Sequence, residues 1–311
     1  MRVATIDIGT NTVLLLIAER GPTGALVALR EEATITRLGE GVDVARKLKP
    51  EAIARTNACL ASYAGLCREA GVAKRAIVGT SAMRDAGGGD EVRACVLEHF
   101  GVEARTISGE EEARLTFRGA LSGMEGVDGD VVVFDIGGGS TEVVAGRAND
   151  IGWSHSYDVG SVRLTERHLP SDPPTHGELD AVRAAVAKSF ASIPSLARSS
   201  PPVGIAGTVT TLAAVSMGLS PYDGARVHGF SMTKALLEKV VRDLAGMPLE
   251  ERKRVRGLEP KRADVIVAGG FITLGVLDAL HADALRVSDR GVRWGLAEEI
   301  AGSSRSGELG A

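Results

Sequence analysis

The 311-residue sequence predicts an α/β protein made from two copies of one plan, and three observations carry that prediction. Two loops of nearly one recipe, Asp7-Ile8-Gly9-Thr10-Asn11-Thr12 and Asp135-Ile136-Gly137-Gly138-Gly139-Ser140-Thr141-Glu142, each join two apolar β-like runs. In both halves strands come first, and helices then alternate with later strands. With 44% hydrophobic residues the chain is also long enough to bury two cores of ordinary size.

The elements follow in order. Val3 to Ile6 and Val13 to Ala18 flank the first loop as strands, and a third strand follows Gly24. Pro50 opens a helix in which Ile53, Leu60, Tyr63, Ala64 and Cys67 recur on one face, and Gly71 closes it. Arg75 to Thr80 reads as a buried strand. Asp90 fits an N-cap for a helix through Phe100 that Gly101 ends, a short strand leads to Ile107, and Glu110 to Leu121 is helical. A glycine and acidic cluster between Gly123 and Asp130 marks a boundary. The second half repeats the plan with strands over Val131 to Phe134, Glu142 to Gly146 and Trp153 to Val159. After the breaker Ser171-Asp172-Pro173-Pro174, Glu178 to Leu196 is helical, Val203 to Ala206 is a strand and Thr210 to Met217 a short helix. Helices dominate from Thr233 to Leu280, a last strand spans Ala284 to Val287, and a final helix runs from Val292 to about Ala301. The expected domains are residues 1–124 and 125–301, with 302–311 a frayed, disordered tail.

Charge and composition exclude several classes. A net charge of −4 argues against a sequence-independent grip on DNA, RNA or an anionic membrane. No apolar run approaches the ~18 residues of a membrane span, and no signal-peptide core precedes Asp7, so the cytoplasm is the expected location. Cys59, Cys67 and Cys95 lack C-x-x-C spacing and read as buried free thiols. The six histidines, at 99, 155, 168, 176, 228 and 281, lack metal-ligand spacing.

The two loops carry the chemistry. Glycines remove Cβ atoms so that backbone N–H groups can close on an anion, hydroxyls add donors, and the leading carboxylate can hold a cation. Each loop taken singly could be an ordinary turn; the pairing of two suggests a phosphate gripped from two sides. In the first, Asp7 would hold Mg²⁺ while Gly9, Thr10, Asn11 and Thr12 bind phosphate. In the second, Gly137, Gly138, Gly139, Ser140 and Thr141 bind phosphate, and Glu142 sits at the edge of the same cleft. Gly79-Thr80-Ser81-Ala82-Met83-Arg84-Asp85-Ala86 and Ile107-Ser108-Gly109-Glu110-Glu111-Glu112-Ala113-Arg114-Leu115 each follow a predicted strand, so Ser81, Arg84 and the glutamates would face one crevice. Taken alone, Arg84 fits equally a surface pair with Asp85, and any one of Glu110 to Glu112 fits a residue favouring the helix dipole. Gly207-Thr208-Val209-Thr210-Thr211 is a further Gly-Thr turn, either near a nucleotide or an ordinary helix start.

These segments resemble the exopolyphosphatase and guanosine pentaphosphate phosphohydrolase (Ppx/GppA) family. The matching motifs are DIGTNT at 7–12, GTSAMRDA at 79–86, ISGEEEARL at 107–115, DIGGGSTE at 135–142, GSVRLTE at 160–166, GTVTTLAA at 207–214 and VSDRGVRWGL at 287–296. The resemblance implies two duplicated ribonuclease H-like domains of the acetate and sugar kinase/Hsp70/actin superfold with an interdomain cleft. It places the catalytic base on Glu112 and a second essential glutamate on Glu142. It puts a phosphate-contacting arginine at Arg84, and phosphate and Mg²⁺ at the loops led by Asp7 and Asp135. The implied activity is Mg²⁺-assisted hydrolysis of the terminal phosphoanhydride of inorganic polyphosphate, of guanosine pentaphosphate, or of both, tied to the stringent response. Leu14, Gly87-Gly88 and Trp294 depart from the family pattern, and the chain resembles the short two-domain members. Two alternatives stand beside this reading: a phosphotransferase of the same superfold, and a non-catalytic polyphosphate or alarmone sensor. The apolar last helix, with Val292, Leu296 and Ile300, fits either a homodimer interface or core packing.

Overall fold

The computed structural model of the protein describes residues 1–10, 12–40, 42, 47–85, 88–127, 129–147, 150–196 and 201–302. They form two compact units, Met1–Gly123 together with the stretch from Gly291, and Met124–Arg290.

The first domain is built on β1 (Arg2–Ile8), β2 (Thr12–Arg20), β3 (Leu26–Ile35), β4 (Lys74–Gly79) and β5 (Ala104–Thr106), in the order β3-β2-β1-β4-β5. The first three strands are antiparallel, and β4 and β5 join parallel to β1. Because β1 and β2 lie inside the sheet, alternate side chains feed opposite faces, and both faces are apolar. Val13, Leu15 and Ile17 share one core with Ile53, Leu60, Tyr63 and Cys67 of α1 (Pro50–Glu69) and with Val92 and Val96 of α3 (Asp90–Phe100). Leu16, Ala18 and Leu26 point to the other face, where Trp294, Ala297 and Ala301 cover them. Fully burying such a side chain contributes roughly 1.5–3 kcal/mol. The short α2 (Ser81–Asp85) follows β4, and α4 (Gly109–Leu121) follows β5.

Trp294 and its neighbours belong to the closing helix, Val292–Gly302, which was expected in the second domain and instead packs on the first sheet. Its apolar residues fill a face that the first 123 residues leave open. Gly295 permits the approach, since a Cβ there would collide with the Leu115 carbonyl of α4. Leu296 is buried with Val78, Ile107 and Leu115, Val292 packs partly against that cluster and Ile300 against the one around Trp294, so this stripe is core material.

The second domain repeats the order. Its strands are β6 (Asp130–Ile136), β7 (Thr141–Arg147), β8 (Asp150–Tyr157), β9 (Val203–Ile205), β10 (Ser231–Thr233) and β11 (Ala284–Val287), arranged β10-β11-β9-β6-β7-β8. The run β8-β7-β6-β9-β11 matches β3-β2-β1-β4-β5, and β10 adds an antiparallel edge. Both sheets have the ribonuclease H-like order, so the chain has the duplicated architecture of the acetate and sugar kinase/Hsp70/actin superfold. Helices α5 (Ser161–His168), α6 (His176–Phe190), α7 (Ala206–Ser216), α8 (Lys234–Ala245) and α9 (Ile266–Ala279) complete the domain; the closing helix is α10.

Three local expectations shift. Helix α6 stops at Phe190 rather than Leu196, because Pro194 lacks an N–H and disfavours helical geometry at the residue before it. Helix α7 begins at Ala206, earlier than Thr210. Strand β10 has only three residues, Ser231-Met232-Thr233, too few for their alternation to announce a strand. The cysteines are buried and free, and burial raises all three thiols, Cys67 to about 11. Among the described residues, no helix is long and apolar enough to cross a membrane.

Candidate active site

The first domain gathers Asp7, Arg84 and Glu112 at the carboxyl ends of its parallel strands. Asp7, near the end of β1, is buried, and its Oδ1 has no hydrogen-bond partner. Burial pushes this carboxyl up to about 7; the negative charge of Glu112 adds to the rise and Arg293 opposes it. A buried oxygen without a donor suits a cation better than a core position.

Helix α2 holds Arg84 in place. Met83 packs where a Cβ on Gly79 would stand, which seats the helix on the end of β4. Arg84 Nη1 donates to the Ile107 carbonyl at 2.9 Å and to Glu112 Oε2 at 3.4 Å. Both side chains of that ion pair are about one-third exposed, so it orients more than it stabilises. Glu112 lies in the first turn of α4, whose N-cap Ser108 accepts from the Glu111 N–H at 3.1 Å. The acidic run is thereby sorted: Glu111 pairs with Arg105 at 3.1 Å, while Glu112 faces Arg84 and Asp7. In the loop itself, Gly9 N–H donates to Thr12 O at 3.1 Å, and the Thr10 carbonyl accepts from Gly39 N–H at 2.8 Å. Ser81 opens α2. Asn11 and Gly87 lie outside the described residues.

In the second domain the same turn recurs, with Gly137 N–H donating to Ser140 O at 2.9 Å. The start of α5 fixes its orientation. Ser161 N–H donates to Gly137 O, and Val162 and Arg163 N–H both donate to Gly138 O, each at 3.0 Å. In a trans peptide the carbonyl and the following N–H point opposite ways. The Gly138 and Gly139 N–H groups therefore aim away from α5, and neither is taken by a hydrogen bond among the described residues. Two such donors in succession form an anion-binding concavity. Gly160 allows the fit, since a Cβ there would collide with the Gly138 carbonyl.

Asp135 and Glu142 stand directly opposite each other on β6 and β7. Like charges in that register repel, and a cation between them would remove the penalty. Glu142 Oε1 accepts from Ser140 Oγ and from Ser156 Oγ, both at 2.7 Å, which leaves Oε2 without a hydrogen-bond donor among the described residues. Thr141, expected among the phosphate donors, has another task. It is fully buried and its hydroxyl donates to the Val159 carbonyl at 2.6 Å, because its place on β7 turns the side chain inward. Among the described residues no three His, Cys, Asp or Glu side chains cluster as a complete metal site. Any cation would thus draw ligands from phosphate and water as well, as Mg²⁺ commonly does.

Sequence reasoning assigned no role to Arg293 or Ser156. Arg293 lies in the VSDRGVRWGL motif, pairs with Glu31 and acts on Asp7, so the motif was the available signal. Ser156 reaches Glu142 only through the β7–β8 register, which the linear sequence does not display.

The family model that matches, over residues 16–303, is described as the Ppx/GppA phosphatase family. Exopolyphosphatase 2 of Mycobacterium tuberculosis is 39% identical, covering 97% of this chain and 99% of that protein. A bifunctional 3-dehydroquinate synthase/phosphatase of Fusobacterium nucleatum is 32% identical over 92% of this chain and 44% of its own length. Among solved structures, the type II variant of the Aquifex aeolicus Ppx/GppA phosphatase superposes with a TM-score of 0.87 at 36% identity, covering 96% of this chain and 99% of that one.

Proposed function

The chain belongs to the Ppx/GppA phosphatase family, and from that membership we propose that it is an exopolyphosphatase. It hydrolyses the terminal phosphoanhydride of inorganic polyphosphate, of guanosine pentaphosphate, or of both, and releases orthophosphate. The observation that carries the reading is the placement of Glu112, fixed by Arg84 and adjacent to the buried Asp7.

Hydrolysis of a phosphoanhydride needs an in-line water, a base to take its proton, and neutralisation of charge on the transferring phosphoryl group. Glu112 supplies the base: one of its oxygens accepts the water proton as the new oxygen–phosphorus bond forms and the bridging oxygen–phosphorus bond breaks, its electron pair leaving on the shortened substrate. Arg84 supplies positive charge, and the Gly138 and Gly139 N–H groups hold phosphoryl oxygens. Asp7 in the first domain, and Asp135 with Glu142 in the second, would hold Mg²⁺ or another divalent cation. When bound, that ion neutralises phosphate charge. No side chain needs to form a covalent intermediate.

The test is orthophosphate release by the purified protein from long-chain polyphosphate, guanosine pentaphosphate and ATP, with Mg²⁺ and after chelation. The proposal expects cation-dependent release from at least one of the first two. A phosphorylated acceptor in place of orthophosphate would favour a transferase, and tight binding without turnover would favour a sensor.

A further inference from the structure

Beside the second glycine loop lies a cavity of 510 Å³ lined by Gly138, Gly139, Val162, Arg163, Glu166 and Arg167, and the chemistry above gives its α5 side chains no role. Its floor is the glycine loop and its wall is one face of α5. Arg163 Nη2 lies 3.5 Å from where a Cβ on Gly139 would stand, so this guanidinium occupies the side of the loop that the missing side chain leaves open. Its ion partner is Asp158 at 3.8 Å, a carboxylate 92% exposed and beyond good hydrogen-bonding range. Arg167 follows one turn later on the same face and is exposed, with no ion pair among the described residues. Two arginines one turn apart, about 5.4 Å along the axis, thus run outward along α5 from the edge of the glycine loop.

We propose that Arg163 and Arg167 form a phosphate-binding track that holds successive phosphates of the polyphosphate chain beyond the group being cleaved. The inference rests on the exopolyphosphatase reading and adds a residue basis for chain-length preference. A planar guanidinium with five donors matches phosphate oxygens, and a short row of them reads a repeating anion without reading any base. Glu166 stands on the same rim as an opposing charge, so a chain seated there gains from the arginines and loses from the glutamate. That opposition gives the track a signature of both signs.

Binding of long-chain polyphosphate and of tripolyphosphate is measured by calorimetry at several salt concentrations, for the unsubstituted protein, R163Q, R167Q and E166Q. R163Q is expected to weaken both ligands about tenfold. R167Q is expected to weaken the long chain more than tripolyphosphate, because it sits one turn further from the loop. E166Q is expected to tighten the long chain. For each arginine removed, the slope of log affinity against log salt should fall by about one, as when one phosphate contact is lost from a polyanion. Unchanged affinity and slope in R163Q and R167Q would overturn the inference. So would a fall in turnover by R163Q with binding intact, which would assign the residue to bracing the loop. If the unsubstituted protein binds polyphosphate but releases no phosphate, the hydrolase reading fails while the arginines are still judged by the binding comparison. No binding at all overturns both.

Discussion

Arg84 ties Glu112 to the strand-end segment: one nitrogen, Nη1, reaches both the Ile107 carbonyl at 2.9 Å and Glu112 Oε2 at 3.4 Å. The arginine therefore fixes the direction of the proposed base and also carries charge toward the phosphoryl group. Arg84→Gln should lower kcat about 10²–10³-fold, the usual loss when one charge-stabilising donor is removed. Its melting temperature should change little, since the pair is one-third exposed. Steady-state phosphate release and a thermal melt on one preparation check both parts.

How much of this was legible in the sequence depends on distance along the chain. The duplication was readable from the two Asp-Ile-Gly loops, and it extends further than they do. Asp7 faces Leu14 across β1 and β2, as Asp135 faces Glu142 across β6 and β7. The second domain thus has a carboxylate where the first has an aliphatic side chain, a difference that takes on meaning only through strand register. The sorting of Glu110 to Glu112 was implied by resemblance, and its physical basis is the separate pairing of Glu111 with Arg105 and of Glu112 with Arg84. The return of α10 to the first sheet was not legible. Its pattern of Trp294, Leu296 and Ala297 declares a buried helix without declaring which core it fills. The inward turn of the Thr141 hydroxyl onto the Val159 carbonyl was hidden for a similar reason, since alternation along β7 decides which hydroxyls face in.

Asp7 gives a pH-dependent stability. Its carboxyl is raised from 3.8 to about 7 by burial, then by Glu112, so in that interval the folded protein keeps a proton that the unfolded chain releases. Folding of the metal-free protein should weaken as pH rises from about 4 to about 7 through this group. Asp7→Asn removes the penalty while abolishing activity. In chelator, denaturant titrations should show the variant gaining on the unsubstituted protein as pH rises through that window. A gain confined to acid pH would contradict the assignment.

Gly160 tests the brace under the second loop. A methyl group there meets the Gly138 carbonyl, so Gly160→Ala must push α5 and the loop apart. The expected cost is about 1–3 kcal/mol of stability, with weaker polyphosphate binding as the Gly138 and Gly139 N–H groups lose their aim. Urea unfolding with a binding titration measures the two effects. Loss of stability with unaltered binding would separate the brace from the ligand.

The capping box on α6 provides a control at residues with no assigned role in the chemistry. Glu178 accepts from the Thr175 N–H at 2.6 Å and from Ser171 Oγ at 2.7 Å, which holds its carboxyl below the ordinary 4.5. A lowered carboxyl pKa stabilises fully above that ordinary value, and the benefit is lost as pH falls through the folded value. Glu178→Gln should therefore melt earlier than the unsubstituted protein at neutral pH, and the difference should shrink below pH 4.5. Phosphate release at neutral pH should be retained, and melts across the acid range would show the trend.

The central claim is that Glu112 is the base of a phosphoanhydride hydrolase. The most direct measurement compares orthophosphate release from long-chain polyphosphate by the unsubstituted protein and by Glu112→Gln, with binding followed on the same samples. The account predicts a loss of about 10²–10⁴-fold in kcat, with polyphosphate still bound and the fold intact. Turnover by Glu112→Gln within a few-fold of the unsubstituted protein would contradict it.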